Sequence, residues 1–101
     1  FYETVLLFFG FKEAAQHRQC QSLLGLFLEI PNTVKGVASV EWGKNDSPEG
    51  KNKNYTYCIF MTFADEEGRQ NYLKHPEHES LKAQFHPILE DIIVLDYVPT
   101  C

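Results

Sequence analysis

Two stretches of the chain are apolar at both odd and even positions: ETVLLFFGF, residues 3 to 11, and YTYCIFMTF, residues 55 to 63. Successive side chains of a β-strand point to opposite faces of the sheet, so each stretch would carry apolar side chains on both faces. The second is also rich in β-branched and aromatic residues, which favour strands. The sequence therefore predicts two strands that must be covered on both sides, which restricts the folds open to the chain.

An amphipathic helix is predicted between these two strands. From Lys12 to Glu29 apolar residues recur at intervals of three and four, and we expect Pro31-Asn32 to end the helix. A strand over Val37 to Trp42 follows, and the Gly, Asn, Ser and Pro content of residues 43 to 54 then indicates a flexible hairpin-like loop. The apolar stripe of the helix consists of Cys20, Leu23, Leu24, Phe27 and Ile30.

The second half of the chain repeats the alternation of helix and strand. Asp65 is a suitable N-cap for a helix that Pro76 stops at or before His75, and a short helix over about residues 77 to 85 precedes the strand DIIVLDY, residues 91 to 97. The resulting order βαββαβ is that of an α+β, ferredoxin-like protomer, with an antiparallel sheet and its helices on one face. Because 101 residues suffice for one core only, residues 1–101 are predicted to form a single domain.

A sheet with helices on one face leaves its other face exposed. Since the predicted strands are apolar on both faces, that second face would be a large apolar patch that requires a partner. A second copy of the chain, related by two-fold symmetry, is the simplest partner. We therefore expect a homodimer through the sheet faces, a dimeric α/β barrel with the helices outside.

Charge and composition exclude several classes of function. The net charge is −5 and the basic residues are scattered, so nucleic acid is not an expected partner. The apolar runs are far shorter than the roughly 20 residues of a membrane span. The three cysteines, Cys20, Cys58 and Cys101, are an odd number without a C-x-x-C pair, which favours free thiols in a reducing compartment and therefore a cytoplasmic protein.

The segment NYLKHPEHES, residues 71 to 80, carries the candidate catalytic residues Tyr72 and His78. A histidine exchanges protons near neutral pH and a tyrosine hydroxyl donates to a developing oxyanion, so the pair suits an enolisation or aldol step. The structural alternative is that His78 packs the helix junction and Tyr72 fills the core. His75 is a weaker candidate for ligand contact, because a histidine before proline often satisfies backbone groups at a helix end.

Neither a metal nor a cofactor is expected. A zinc site would need three or four converging ligands, and His75, Glu77 and His78 have no cysteine or further histidine nearby to complete the set. A small apolar ligand is the partner that the composition allows, and core filling is the structural alternative for each apolar candidate. The candidate lining residues are Leu7, Phe9, Leu24, Phe27, Val40 and Ile59, together with His75.

Four stretches of the chain, GVASVEWGKNDSPE, YTYCIFMTF, YLKHPEHESL and PILEDIIVLDY, resemble the stress-responsive dimeric α/β-barrel (Dabb) domain family along nearly the whole sequence. The resemblance implies a ferredoxin-like protomer, a homodimer through the sheets and an apolar pocket between sheet and helices. In a polyketide cyclase of the family, a tyrosine and a histidine promote an aldol closure, and these positions correspond to Tyr72 and His78. Many members carry a histidine near the start of the first strand, where this chain has Val5.

Three functions are consistent with these observations. The first is a stress-related homodimer that holds a small hydrophobic ligand; the second is a cofactor-free, polyketide-cyclase-like enzyme that uses Tyr72 and His78. The third is a haem-degrading or quinol-oxidising monooxygenase, since such enzymes share the barrel fold. Val5 favours the first, because a ligand would meet only hydrocarbon on the first strand. The third is least favoured, because the turn at His75-Pro76 is an awkward position for an axial haem ligand.

Overall fold

The computed structural model describes residues 3–100 of the chain, so the N-terminal Phe1 and the expected free thiol of Cys101 lie outside the described residues. The strands are β1 (Glu3–Phe11), β2 (Val37–Lys44), β3 (Tyr57–Phe63) and β4 (Leu89–Tyr97). The helices are α1 (His17–Thr33), α2 (Glu66–Lys74) and α3 (Pro76–Phe85), and a short 3₁₀ turn, His86–Ile88, leads into β4. This order confirms the predicted ferredoxin-like βαββαβ protomer.

The four strands form one antiparallel sheet in the order β2-β3-β1-β4. The two strands that are apolar on both faces, β1 and β3, occupy its centre, while β2 and β4 are the edges. The helices cover one face of this sheet, which is called the helix-covered face. On it, Phe9 of β1 pairs with Tyr57 of β3 on one side and with Ile92 of β4 on the other. The central position of β1 and β3 explains why their sequences are the most apolar, since a central strand has no solvent-exposed edge.

The hydrophobic core lies between the helix-covered face and the helices. From the strands it receives Val5, Phe9, Ile59, Met61 and Phe63, all buried. The helices add a second set of buried side chains, which are Leu24, Phe27, Ile30, Tyr72, Leu81 and Phe85. The apolar stripe predicted for the first helix is thus confirmed as its buried face.

The first helix differs from the prediction at both ends. It begins at His17 rather than near Lys12, and it continues past Pro31 to Thr33. Proline removes one backbone donor from the helix. Helical hydrogen bonding nevertheless continues beyond it, since the Val34 amide donates to the Ile30 carbonyl at 2.9 Å. Pro31 is tolerated because it lies in the last turn, where only one hydrogen bond of the helix is lost.

Helix α2 is held to the sheet by a close backbone approach and an ionic cluster. A Cβ atom on Gly68 would lie 2.8 Å from the Gly36 carbonyl oxygen, so the start of α2 packs directly on the start of β2. Arg69, whose side chain is only 16% exposed, places Nη1 3.1 Å from Asp96 Oδ2 on β4 and 3.5 Å from Glu3 Oε2 on β1. These contacts fix α2 against both sheet edges and orient the residues that follow Arg69.

Among the residues that the structure describes, no helix covers the other face of the sheet. Leu6, Phe8 and Phe60 are half-buried on this open face, and Ile93, Leu95 and Tyr97 of β4 are exposed on it. Within residues 3–100, no helix has the length and apolar character that crossing a bilayer would need.

Candidate functional site

A cavity of about 520 Å³ lies between α3, the end of α2 and the helix-covered side of β1 and β4. Its location follows from the sheet topology, because α3 lies over the edge strand β4 without burying it and leaves a gap above Leu7 and Val94, which pair across β1 and β4. The lining is mainly apolar and consists of Leu7, Phe27, Leu81, Ala83, Phe85, Leu89, Ile92 and Val94, with Tyr72, His78, Glu79, Lys82 and His86 as its polar members.

Tyr72 and His78 reach the same cavity from two consecutive helices. The chain leaves α2 at His75, whose backbone is extended (φ −74°, ψ 141°), and Pro76 then starts α3 as its first residue. This tight junction places the two rings in contact, with centroids 4.6 Å apart and planes inclined by 50°. The proline between them therefore brings the two candidate residues together.

The hydrogen bonding of His78 assigns its two ring nitrogens different roles. Nδ1 lies 3.1 Å from the Leu73 carbonyl oxygen, and because a carbonyl only accepts, Nδ1 carries the hydrogen. In the neutral ring Nε2 then holds the lone pair and acts as an acceptor or base. Burial lowers the pKa of His78 below 6.5, with Lys82 adding to the effect, and the Leu73 hydrogen bond and Glu79 oppose it. The ring is therefore neutral at pH 7.

Tyr72 is the complementary donor. Its ring is buried against Phe63, and burial raises the pKa of the phenol far above its ordinary value of 10, so the hydroxyl keeps its hydrogen. Among the described residues, Arg69 Nε is the only fully buried side-chain N or O atom without a partner. Tyr72 lines the cavity, and its hydroxyl makes no hydrogen bond to those residues.

Together the two side chains offer one hydrogen-bond donor and one base in an apolar space. Such a pair binds a carbonyl group well, because Tyr72 donates to the oxygen while Nε2 of His78 can face an adjacent C–H or O–H. Low polarity around the pair strengthens each of these contacts relative to water.

The remaining predicted site residues are divided between the cavity and other positions. Leu7 and Phe27 line the cavity. Phe9, Leu24 and Ile59 are fully buried in the core, and Val40 is half-buried against it, so none of these four contacts the cavity. Nδ1 of His75 accepts a hydrogen bond from the Glu77 amide at 3.1 Å, which makes this histidine the N-cap of α3.

Several lining residues were not singled out from the sequence. The α3 members follow His78 at helical spacing, since Leu81, Lys82, Phe85 and His86 lie three, four, seven and eight positions after it. This spacing was the available signal, because side chains three and four apart share one helix face. Ile92 and Val94 had no comparable local signal, as their place depends on the pairing of β4 with β1.

A second cavity, of about 620 Å³, lies on the open face beside the loop that connects β2 and β3. Its floor is apolar, with Phe8 and Ile93, and its rim carries Lys44, Lys51 and Lys53. It contains no pair of a buried donor and a base comparable to Tyr72 and His78. In residues 3–100, neither cavity nor any other part of the structure brings together three side chains that would hold a metal ion.

Comparisons with known proteins agree with this architecture. A stress-response A/B barrel domain-containing protein of Arabidopsis thaliana is 27% identical over 95 residues, covering 94% of this chain and 87% of the relative. Olivetolic acid cyclase of Cannabis sativa is 26% identical over 94 residues and 93% of each chain is covered. The crystal structure of an Arabidopsis thaliana protein superposes with a TM-score of 0.90 at 28% identity, covering 99% of this chain and 96% of that one.

A more distant structure shares the fold alone. The dimeric ferredoxin-like protein of unknown function from Jannaschia sp. has a TM-score of 0.86 at 17% identity, with 98% of this chain and all of that chain (100%) covered. The model of the stress responsive A/B barrel domain matches residues 5–99, which include the three α-helices, β2, β3 and β4, β1 from Val5 onward and the whole cavity lining. The chain therefore belongs to the stress-responsive A/B barrel domain (Dabb) family.

Proposed function

We propose that the chain forms a homodimer whose protomers each bind a small apolar molecule through its carbonyl oxygen. The observation that carries the proposal is the contact between Tyr72 and His78 in an otherwise apolar cavity. Tyr72 retains its phenolic hydrogen and donates to the carbonyl, while the apolar lining takes up the hydrocarbon body of the ligand.

The dimer is supported by the open face of the sheet. Ile93, Leu95 and Tyr97 are between 39% and 52% exposed in the protomer, a contiguous apolar surface of the kind that marks an interface. A second copy placed face to face would cover it, as two-fold symmetric contacts do in most homo-oligomers. The dimeric structure of the same fold reported above agrees with this arrangement, although its low identity makes it an argument from the fold.

The binding site is tested with a ketone probe, 6-propionyl-2-dimethylaminonaphthalene, whose emission responds to polarity and hydrogen bonding at its carbonyl. We expect the wild type to bind it with a blue-shifted emission. Tyr72→Phe should weaken binding by roughly three- to tenfold, the equivalent of one net hydrogen bond.

Tyr55→Phe is the matched control, because that hydroxyl bonds Asp91 Oδ2 at 3.0 Å and lies outside this cavity. Equal affinity of the wild type and Tyr72→Phe, or an equal loss in both variants, would contradict the assignment of Tyr72 as the carbonyl donor. Absence of probe binding to the wild type would contradict the ligand site as a whole.

A second candidate function is cofactor-free proton transfer, as in a polyketide-cyclase-like aldol step. It is favoured by the hydrogen bond between Nδ1 of His78 and the Leu73 carbonyl, which leaves Nε2 as a base beside the Tyr72 hydroxyl. Nε2 would take a proton from the carbon next to the ligand carbonyl, and Tyr72 would stabilise the enolate oxygen. The similarity to olivetolic acid cyclase supports this candidate, whereas no observation favours a monooxygenase.

Exchange of a ligand's α-hydrogens for deuterium distinguishes the two candidate functions. If His78 acts as a base, a methyl ketone such as 2-nonanone should exchange its α-hydrogens for deuterium in D₂O faster with the wild type than with His78→Gln, as followed by NMR. Equal exchange rates in both proteins, with binding retained, would leave ligand binding as the function and end the catalytic alternative.

A further inference from the structure

The polar members of the cavity lining form a stripe along one helix. His78, Lys82 and His86 are spaced by four residues, and the helical backbone continues through His86 (φ −52°, ψ −45°). Since each residue advances the helix by about 1.5 Å, successive members are about 6 Å apart and the stripe is about 12 Å long. The facing wall on β4, with Ile92 and Val94, is apolar.

Lys82, the lysine of this stripe, forms an ion pair with Glu79. Lys82 Nζ lies 3.2 Å from Glu79 Oε1, and both side chains are more than half exposed at the cavity mouth. An exposed pair of this kind contributes little, and a lysine ammonium has three hydrogens of which the pair uses one. Lys82 therefore keeps donors available for a ligand, and Glu79 is the only acidic side chain among the cavity lining residues that the structure describes.

We propose that the natural ligand is an amphipathic anion, an apolar acyl or aryl body that ends in a carboxylate. The carboxylate binds Lys82 and His86 at the mouth, and the apolar body extends under α3 and brings its carbonyl group to Tyr72 and His78. Charge complementarity is the basis: among the described lining residues the ammonium of Lys82 is the one permanent positive charge, while the β4 wall accepts only hydrocarbon. This inference rests on the proposed ligand-binding function and specifies its ligand class.

The test uses two fluorescent probes with the same apolar body, cis-parinaric acid and its methyl ester. We expect the wild type to bind the acid more tightly than the ester, with a preference of about three- to tenfold that shrinks as salt is raised. Lys82→Gln should remove most of this preference, because it lowers the affinity for the acid much more than that for the ester.

Glu79→Gln provides a test in the opposite direction. It frees Lys82 and removes the opposing charge, so the affinity for the acid should rise by about two- to fivefold relative to that for the ester. Lys74→Gln is the matched control, since Lys74 is an exposed lysine of α2 outside the cavity lining. It should alter neither affinity.

The outcomes distinguish a failure of this inference from a failure of the proposed function. If the ester binds and the acid shows no preference, the anionic ligand class is wrong and the apolar ligand site stands. An equal loss for acid and ester in Lys82→Gln would also overturn the inference, because Lys82 would then support the cavity rather than recognise charge. If neither probe binds the wild type, the ligand site and the inference fail together.

Discussion

His78 connects structure and chemistry through its two ring nitrogens. Nδ1 donates to the Leu73 carbonyl, one of the acceptors left open at the end of α2, and Nε2 remains for the cavity. The same residue thus holds the helix junction and offers a base, which unites two interpretations that the sequence presented as alternatives. His75 differs, because its Nδ1 serves the Glu77 amide as a helix cap.

The pH dependence of stability should report the burial of His78. Its pKa in the folded protein is below 6.5, its ordinary value, so the unfolded chain binds this proton at higher pH than the native protein does. The stabilisation that comes from this pKa difference is fully present above pH 6.5. It is lost as the pH falls through the pKa of His78 in the folded protein. We expect the melting temperature of the wild type to decrease between pH 7.5 and 5 more steeply than that of His78→Gln.

If the melting temperatures of the wild type and His78→Gln changed with pH in parallel, the native protein would not disfavour the charged imidazole of His78. His17→Gln is the control for a histidine on the exposed start of α1, and its curve should follow that of the wild type.

At the scale of the elements, α2 is the part whose placement decides the site. It carries Tyr72, and it is fixed by Gly68 against β2 and by Arg69 against β1 and β4. Asp65 caps its first turn, accepting from the Gly68 amide at 2.8 Å, as the sequence predicted. The contacts of Gly68 and Arg69 thus set the distance between Tyr72 and the sheet, and the cap stabilises the helix that carries them.

Gly68→Ala should destabilise the protein although alanine is the better helix former. The added Cβ would lie 2.8 Å from the Gly36 carbonyl oxygen, a backbone atom that cannot rotate away. Overpacking of this kind costs about 1 to 3 kcal/mol, which exceeds the helix propensity gain of about 1 kcal/mol. Chemical denaturation should therefore show a lower free energy of unfolding.

Gly25→Ala in α1 is the matched control, because a Cβ at Gly25 meets no atom within 4 Å. It should stabilise the protein by up to about 1 kcal/mol. Stabilisation by Gly68→Ala of the size expected for Gly25→Ala would contradict the close approach of α2 to β2.

Arg69→Met should destabilise the protein by about 3 kcal/mol, because it leaves the buried carboxylate of Glu3 without its cation. Adding Glu3→Gln should recover part of the loss, so that the two substitutions are not additive in a double-mutant cycle of unfolding free energies. Lys74→Met, an exposed lysine on the same helix, should change stability by no more than about 0.5 kcal/mol. Full additivity of Arg69→Met and Glu3→Gln would show that the ion pair contributes nothing.

For the whole molecule, the two faces of the sheet separate the proposed ligand site from the proposed dimer interface. Leu95 and Val94 are neighbours on β4 with similar exposure, 52% and 54%, but they point to opposite sides. Val94 lines the cavity on the helix-covered side, and Leu95 belongs to the open face that the proposed dimer covers. The edge strand β4 therefore contributes to both the ligand site and the proposed interface.

Substitution of these neighbours by lysine should separate the two functions. Leu95→Lys places a charge in the dimer interface and should shift the protein to monomers in sedimentation at micromolar concentration. Val94→Lys should leave the dimer intact and weaken binding of the neutral ketone probe by tenfold or more. Dissociation by Val94→Lys, or an intact dimer with Leu95→Lys, would mean that the interface lies elsewhere.

The order and type of the elements, the buried stripe of α1 and the break at Pro76 could be predicted from the sequence, because each depends on side chains within a few positions of one another. The contact between Tyr72 and His78 belongs to the same class, since both flank one tight junction. The start of α1 was missed, because residues 12 to 16 continue the apolar spacing weakly and the helix boundary depends on where β1 releases the chain.

The cavity itself was decided by the tertiary structure. Phe9, Leu24 and Ile59 fill the core, whereas the equally apolar Leu7 and Phe27 line the cavity. The hydrophobicity of a side chain predicts that it is buried, but it does not predict which residues cover it. Ile92 and Val94 line the site only because β4 pairs with β1 at the sheet edge, where α3 leaves a gap. Burial follows from transfer out of water, a property of each residue alone, whereas a void depends on how elements distant in sequence pack against one another.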